Sequence, residues 1–411
     1  MIYLDYQATT ALAPEVAAAM VAAMDHYGNP NSAHRLGRIA AADVELARER
    51  IMAALGKSGG RLIFTSGATE ALNIAITGAA HISSPQRRRV ITLASEHHAV
   101  LDTVVALRHD GFEPVILPVD RDGLVDLDIA AAAIDERAAL LAVMQVNNEI
   151  GVVQPIDALI DIARASGVTV VCDAVQGFGK LPTPNGDLVA ITAHKMHGPK
   201  GVGALWLRDG IDLPQLMHGG GQEQGIRPGT LSPMLCAGFG VAAQLAGDRR
   251  EMDLAHVEAL WARALHLFAD WEINGSMQAR YHGNLNIRQP GIDAARLISD
   301  VRGVAVSLGS ACASGSGKPS HVLKAIGLSD SEARSSIQHG VLGVGVQMDE
   351  RIIAGTHPDS LPSGSDRTRT AGRVNDYASP LASKSRAYCR SAGYSLVTST
   401  HSPVRGWLNP S

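Results

Sequence analysis

Between residues 61 and 207, short apolar runs alternate with Ala- and Leu-rich stretches of helical pitch. The runs at 62–65, 90–93, 114–119, 140–146, 168–172, 188–191 and 202–207 are continuously apolar, as strands buried on both faces are. Helical periodicity occupies 70–80, 99–108 and 156–165, between those runs. Strand and helix alternating at this spacing predict an α/β fold: a mainly parallel seven-stranded sheet with helices on both faces. Ligands of such sheets bind beyond the carboxyl ends of the strands. Thr69, His97, Asn148, Asp173, Gln176, His194 and Lys195 all fall at those ends.

Beyond 232 the pattern changes. Two helical stretches, 234–246 and 253–270, lead into a shorter α/β segment with a strand near 303–306 and a helix near 320–326. This predicts a large domain at 15–245, a small domain at 246–340 and an N-terminal segment, 1–14, packing with the small domain. Residues 341–411 differ again: they hold eleven serines, and Lys+Arg exceed Asp+Glu by three. Their weak periodicity predicts a disordered tail.

A chain of 411 residues is long enough for two or three domains. Aromatics are only 4%, so Ala, Val, Leu and Ile must build the core. The net charge of −4 argues against a nucleic-acid or anionic-membrane surface. No eighteen-residue apolar stretch predicts a transmembrane helix, and the N-terminus lacks the basic and apolar regions of a secretory signal. Cys172, Cys236, Cys312 and Cys389 form no CxxC, so neither a zinc site nor a disulfide framework is expected, and a cytoplasmic protein is.

Several motifs carry chemistry. Ser66-Gly67-Ala68-Thr69-Glu70 joins a strand to a helix; it reads either as a phosphate cradle or as an ordinary βα turn. Gly56-Lys57-Ser58 is no Walker A sequence, because Ile51 stands where its first glycine belongs, and no GxGxxG opens the first helix. Asp173 and Lys195 have the chemistry of a pyridoxal phosphate pair, a carboxylate for the ring nitrogen and an amine for a Schiff base. A helix-capping Asp and a surface Lys are the plain alternative. His97 suits stacking on a flat ring better than metal binding. The loop 219–230 is rich in donors that would reach a phosphate, or is simply surface. Cys312 lies in Ser310-Ala311-Cys312-Ala313-Ser314-Gly315, a setting of small residues that suits an exposed, reactive thiol.

Taken together, these runs resemble the NifS/IscS-type cysteine desulfurases, fold-type-I pyridoxal phosphate enzymes. The matching residues include Tyr3-Leu4-Asp5-Tyr6-Gln7-Ala8-Thr9-Thr10, Gly28-Asn29-Pro30-Asn31-Ser32-Ala33-His34, Asn147-Asn148-Glu149, Asp173-Ala174-Val175-Gln176, His194-Lys195 and Gly309-Ser310-Ala311-Cys312. They run in order over about residues 1–337.

The resemblance implies a role for each matched position. Lys195 would hold pyridoxal 5'-phosphate and later move the proton. His97 would stack on the ring. Asp173 would pair with the ring nitrogen, Gln176 with the ring hydroxyl, and Asn148 would sit near both cofactor and substrate. Ala68, Thr69, Thr192 and His194 would hold the phosphate, with Thr230 supplied by the second subunit of a homodimer. Cys312 would take sulfur from L-cysteine as a persulfide, leaving L-alanine, for an iron–sulfur scaffold or other acceptor. An aminotransferase or selenocysteine lyase is the nearest alternative. The family pattern then continues Ser-Ser-Ile-Arg, whereas Ser335-Ser336-Ile337 is followed here by Gln338. That departure points to a frameshifted or recombined end at 338–411, with a natural divergent tail as the alternative, and keeps a catalytically impaired scaffold as a third reading.

Overall fold

The computed structural model describes residues 2–301, 303–308 and 319–340. The predicted tail and the Cys312 run lie outside them.

The chain opens with strand β1 (Ile2–Tyr3) and helices α1 (Pro14–Met24) and α2 (Arg35–Leu55). The next part alternates as its pattern predicts. It runs β2 (Arg61–Thr65), α3 (Ala68–Ile82), β3 (Arg89–Leu93), α4 (His98–Ala106), β4 (Glu113–Leu117), α5 (Leu127–Ala133), β5 (Ala138–Met144), α6 (Ile156–Ala165), β6 (Thr169–Asp173), β7 (Leu188–Thr192) and β8 (Gly203–Leu207). These seven strands form one sheet in the order β2-β8-β7-β6-β5-β3-β4. It is mainly parallel; only β8 runs against its neighbours β2 and β7.

Successive residues of a strand point to opposite faces, and here both faces are buried. Phe64, Leu141 and Val143 join a core with Val44 and Ile51 of α2 and Leu159 of α6. Their neighbours Ile63, Leu140 and Ala142 join a second core with Leu72 and Ile76 of α3 and Val100 of α4. Each such Leu or Ile contributes about 1.5–3 kcal/mol on burial. That two-sided burial explains the continuous apolar runs.

The two helical stretches expected at 234–246 and 253–270 are one helix, α7 (Pro233–Leu267). Gly247 and the polar residues after it weaken the intrinsic signal. Packing overrides it: α7 lies along both α1 and α2, and Arg249 pairs with Glu15 of α1 at 2.6 Å. The remaining elements are β9 (Glu272–Ile273), β10 (Asn284–Arg288), α8 (Ala294–Asp300), β11 (Val304–Ala305), α9 (His321–Ala325), α10 (Asp330–Arg334) and β12 (Ser336–Gly340). β9, β10 and β12 make an antiparallel sheet centred on β10. β1 pairs in parallel with β11, and Leu4 packs with Leu260, Trp261 and Ile337. The strand chemistry thus continues through Gln338 to Gly340.

Candidate active site

A cavity of about 620 Å³ opens beyond the carboxyl ends of the central strands. Ala68, Thr69, His97, Asn148, Asp173, Gln176, Thr192, His194 and Lys195 all line it. They come from five different strand ends or turns, so only the folded sheet brings them together. Thr230 does not line it; its loop leaves the residue exposed. Cys312 lies outside the described residues.

Asp173 closes β6. Its Oδ1 accepts the Val175 N–H at 2.9 Å, and burial raises the carboxyl to about 6 even though Lys195 pulls the other way. A cation placed beside this carboxyl would restore its charge. Lys195 follows β7 in a single turn of 3-10 helix. Its Nζ donates to the carbonyls of Gln7 and Ala8, the latter at 2.9 Å. The N-terminal segment therefore supplies the acceptors that hold this amine.

His97 is the N-cap of α4 rather than a strand residue: its Nδ1 accepts the Ala99 N–H at 3.0 Å. That bond leaves the ring proton on Nε2. Burial, with the nearby Lys195 charge, brings His97 down to about 4, so the ring is neutral at neutral pH. His194 is lowered to about 4 by the same two causes, and its Nδ1 lies 3.2 Å from the Thr9 hydroxyl. Thr192 donates to the Val202 carbonyl at 3.1 Å.

The turn into α3 delivers Ala68 and Thr69 at the positive end of a fifteen-residue helix. Glu70 fixes that turn: one oxygen accepts the Ser66 N–H at 2.6 Å and the other the Arg227 Nε–H at 2.8 Å. Two asparagines after β5 divide their work. Asn147 Oδ1 accepts the Glu149 and Ile150 N–H groups at 2.9 and 3.0 Å, which shapes the turn. Asn148 Oδ1 is buried without a hydrogen-bond partner, and Asn148 lines the cavity. An unsatisfied buried acceptor beside a cavity calls for a donor from a ligand.

Sequence reasoning did not assign the carbonyls of Gln7 and Ala8, nor Lys180, whose Nζ lies 3.4 Å from Gln176 Oε1. The run Tyr3–Thr10 was visible as a motif, but its contribution is backbone, which side-chain chemistry does not announce. Among the described residues no cluster of His, Cys, Asp or Glu is placed to hold a metal ion. Among them, too, no helix is long and apolar enough to cross a membrane.

An amine, a buried carboxyl, a neutral imidazole and a helix N-terminus around one cavity suit an anionic, ring-bearing cofactor with a carbonyl carbon. The profile of the aminotransferase class-V family matches residues 2–341, and the chain belongs to that family. Among solved structures, a NifS-like protein superposes with a TM-score of 0.80 at 31% identity, over 86% of this chain and 96% of that one. "SspA in complex with cysteine" gives 0.74 at 33%, over 83% and 99%. The curated cysteine desulfurase IscS of Rickettsia akari (strain Hartford) is 42% identical over 352 residues, 83% of this chain and 86% of its own length. Within the class-V enzymes, a pyridoxal-phosphate-dependent group, the chain falls with the IscS/NifS-type cysteine desulfurases.

Proposed function

We propose that this protein converts L-cysteine to L-alanine and takes the sulfur onto Cys312 as a persulfide, for iron–sulfur cluster or thio-cofactor synthesis. The observation that carries the reading is the convergence of Lys195, Asp173 and His97 on one cavity in a chain of this family. The reaction balances without an outside oxidant: the substrate C–S bond breaks, an S–S bond forms on Cys312, and the thiol proton ends on carbon.

Pyridoxal phosphate, held at Lys195, would supply an electron sink for the substrate's α-carbon. The residues fit it. The buried Asp173 carboxyl lines the cavity and would face the ring nitrogen, and Asn148 Oδ1 lacks a donor. Ala68 and Thr69 at the α3 N-terminus, with Thr192 and His194 of the same cavity, would hold the phosphate, and Gln176 would offer its amide to the ring hydroxyl. The Gln7 and Ala8 carbonyls hold the Lys195 amine, which moves the proton between α-carbon and β-carbon. Neutral His97 would stack on the ring and assist the proton transfer.

In the domain reading most of the lining residues belong to a large domain, 15–245, and the Cys312 run to a small domain, 246–340, with which 1–14 packs; Gln7 and Gln338 bring the N-terminal segment and the small domain to the same cavity. A homodimer supplying Thr230 from the partner subunit, a cytoplasmic location and a protein sulfur acceptor complete the proposal. Gln338 favours a second reading, a pocket that loads cofactor yet turns over slowly.

The test uses purified protein, pyridoxal phosphate and L-cysteine. It follows the visible absorbance band, then alanine and sulfide release, beside Lys195→Ala and Cys312→Ala. Turnover lost in both variants supports the desulfurase. A Cys312→Ala enzyme still making alanine and sulfide at full rate overturns it in favour of another fold-type-I activity. A band without turnover in the wild type favours the second reading.

A further inference from the structure

Lys180 stands behind the pocket and not in its lining. Its Nζ lies 3.4 Å from Gln176 Oε1 and 5.5 Å from the centre of the Tyr281 ring. Gln176 Nε2 in turn donates to the Gln7 carbonyl at 3.0 Å. The same carbonyl accepts from Lys195 Nζ. One continuous chain of hydrogen bonds therefore runs from Lys180 through the Gln176 amide and the Gln7 carbonyl to Lys195.

This chain leaves the Gln176 amide a single orientation. A flipped amide would set its NH2 group against the Lys180 ammonium and its oxygen against the Gln7 carbonyl. Both contacts would become repulsive. In the observed orientation one N–H of Nε2 is used by Gln7, and the other is the donor Gln176 can offer to the cavity it lines.

The surroundings of Lys180 favour no other role. Among the described residues no carboxylate pairs with it. Its titratable neighbours are Lys195, His194 and His197, which feel its charge, and the Tyr281 ring beneath it. Burial, followed by the Lys195 charge, brings Lys180 down to about 7. A buried cation without a counter-ion is costly to keep. An anionic oxygen on the Gln176 side of the cavity would repay that cost.

We propose that Lys180 is a positioning residue of this site, orienting the Gln176 amide and setting a second positive charge behind it. The inference rests on the reading above that pyridoxal phosphate binds at Lys195 with its ring hydroxyl toward Gln176. Two consequences follow. A second cation disfavours protonation at the nitrogen that Lys195 contributes. The Gln176 donor also stays aimed at the ring oxygen through the catalytic cycle.

The experiment is a spectrophotometric pH titration of the holoenzyme, comparing wild type with Lys180→Met, Lys180→Gln and Lys180→Arg. Lys195→Ala serves as the control for the cofactor reading. Both neutral variants should raise the midpoint of the visible band by about one pH unit, the scale of a nearby charge. Lys180→Arg, which keeps the charge, should stay close to wild type. A merely structural lysine would lower the unfolding temperature and leave the midpoint where it was. Folded, loaded Lys180→Gln or Lys180→Met enzyme with an unchanged midpoint overturns the inference while leaving the cofactor reading intact. A wild type that shows no band dependent on Lys195 overturns the cofactor reading itself, and the inference with it.

Discussion

The side-chain amide of Gln338 donates to the backbone carbonyl of Asn148, tying β12 to the turn after β5 at the wall of the cavity. Gln338 is 3% exposed, so its neutral amide is committed at the position where the family pattern has an arginine, which the resemblance implies would bind the substrate carboxylate. A carboxylate held by an amide gains less than one held by a guanidinium, because charge-assisted, bidentate bonds are about twice as strong. Gln338→Arg should lower KM for L-cysteine roughly tenfold, equivalent to about 1.4 kcal/mol, with a smaller change in kcat. Steady-state kinetics of the two enzymes decide it. An unchanged KM would mean that the substrate carboxylate is held elsewhere.

Much of this architecture is legible in the sequence because the central strands are buried on both faces. Leu140 and Leu141 sit in different cores, so the strand reads as one apolar run, and its polar terminus marks the site. The large sheet follows from that, as do Thr69, His97, Asn148, Asp173, Gln176, His194 and Lys195 at its strand ends, whereas Ala68 and Thr192 come from the family resemblance. What was not legible depends on contacts distant in sequence. Helix α7 is continuous across Gly247 because α1 and α2 support it, and Arg249 cannot declare its partner Glu15 in advance. Lys195 is held by two carbonyls more than 180 residues away, and backbone acceptors carry no residue signature. Glu223 of the 219–230 loop is buried and paired with Arg48, a partner 175 residues away that the loop's own sequence does not signal.

Gly203 begins β8 directly beneath the turn that starts α3. A Cβ there would lie 2.7 Å from the carbonyl carbon of Gly67 and 2.8 Å from its Cα. Backbone cannot yield as a flexible side chain does, so Gly203→Ala must push the 66–69 turn away from β8. The N–H groups proposed to meet the phosphate move with it. The variant should bind pyridoxal phosphate at least several-fold more weakly, measured by equilibrium dialysis against the apoenzyme. Retained affinity would place the phosphate away from this turn.

Glu223 anchors the 219–230 loop to the large sheet. Its carboxylate accepts the Phe64 N–H at 2.6 Å and pairs with Arg48 Nη2 at 2.8 Å. The Glu223 side chain is 4% exposed and that of Arg48 21%, so the pair is largely removed from water. Breaking such a pair from one side leaves an uncompensated charge, at a cost of about 3 kcal/mol. Glu223→Gln should therefore lower the urea midpoint clearly, whereas Arg48→Leu combined with Glu223→Leu should recover part of the loss. A double variant as unstable as the sum of its two single changes would show that Arg48 and Glu223 are not coupled, each acting through its other contacts.

His339 lies on β12 with its ring 5.7 Å from that of Phe268, and burial brings it down to about 4. Its ordinary value in an unfolded chain is near 6.5. The folded value is the lower one, so neutral His339 contributes stability that is present above pH 6.5 and is lost as pH falls toward 4. Through that window the unfolded chain takes up a proton that the native fold refuses. The slope approaches about 1.4 kcal/mol per pH unit for this one group. His97 and His194, also near 4, act in the same direction. His339→Leu removes one of these protons while keeping an apolar side chain against Phe268. Urea unfolding at pH 7.5 and pH 5 should show a smaller loss of stability on acidification in the variant than in the wild type. Equal losses would mean that His339 is already neutral in the unfolded chain at pH 5, or that it becomes charged within the fold.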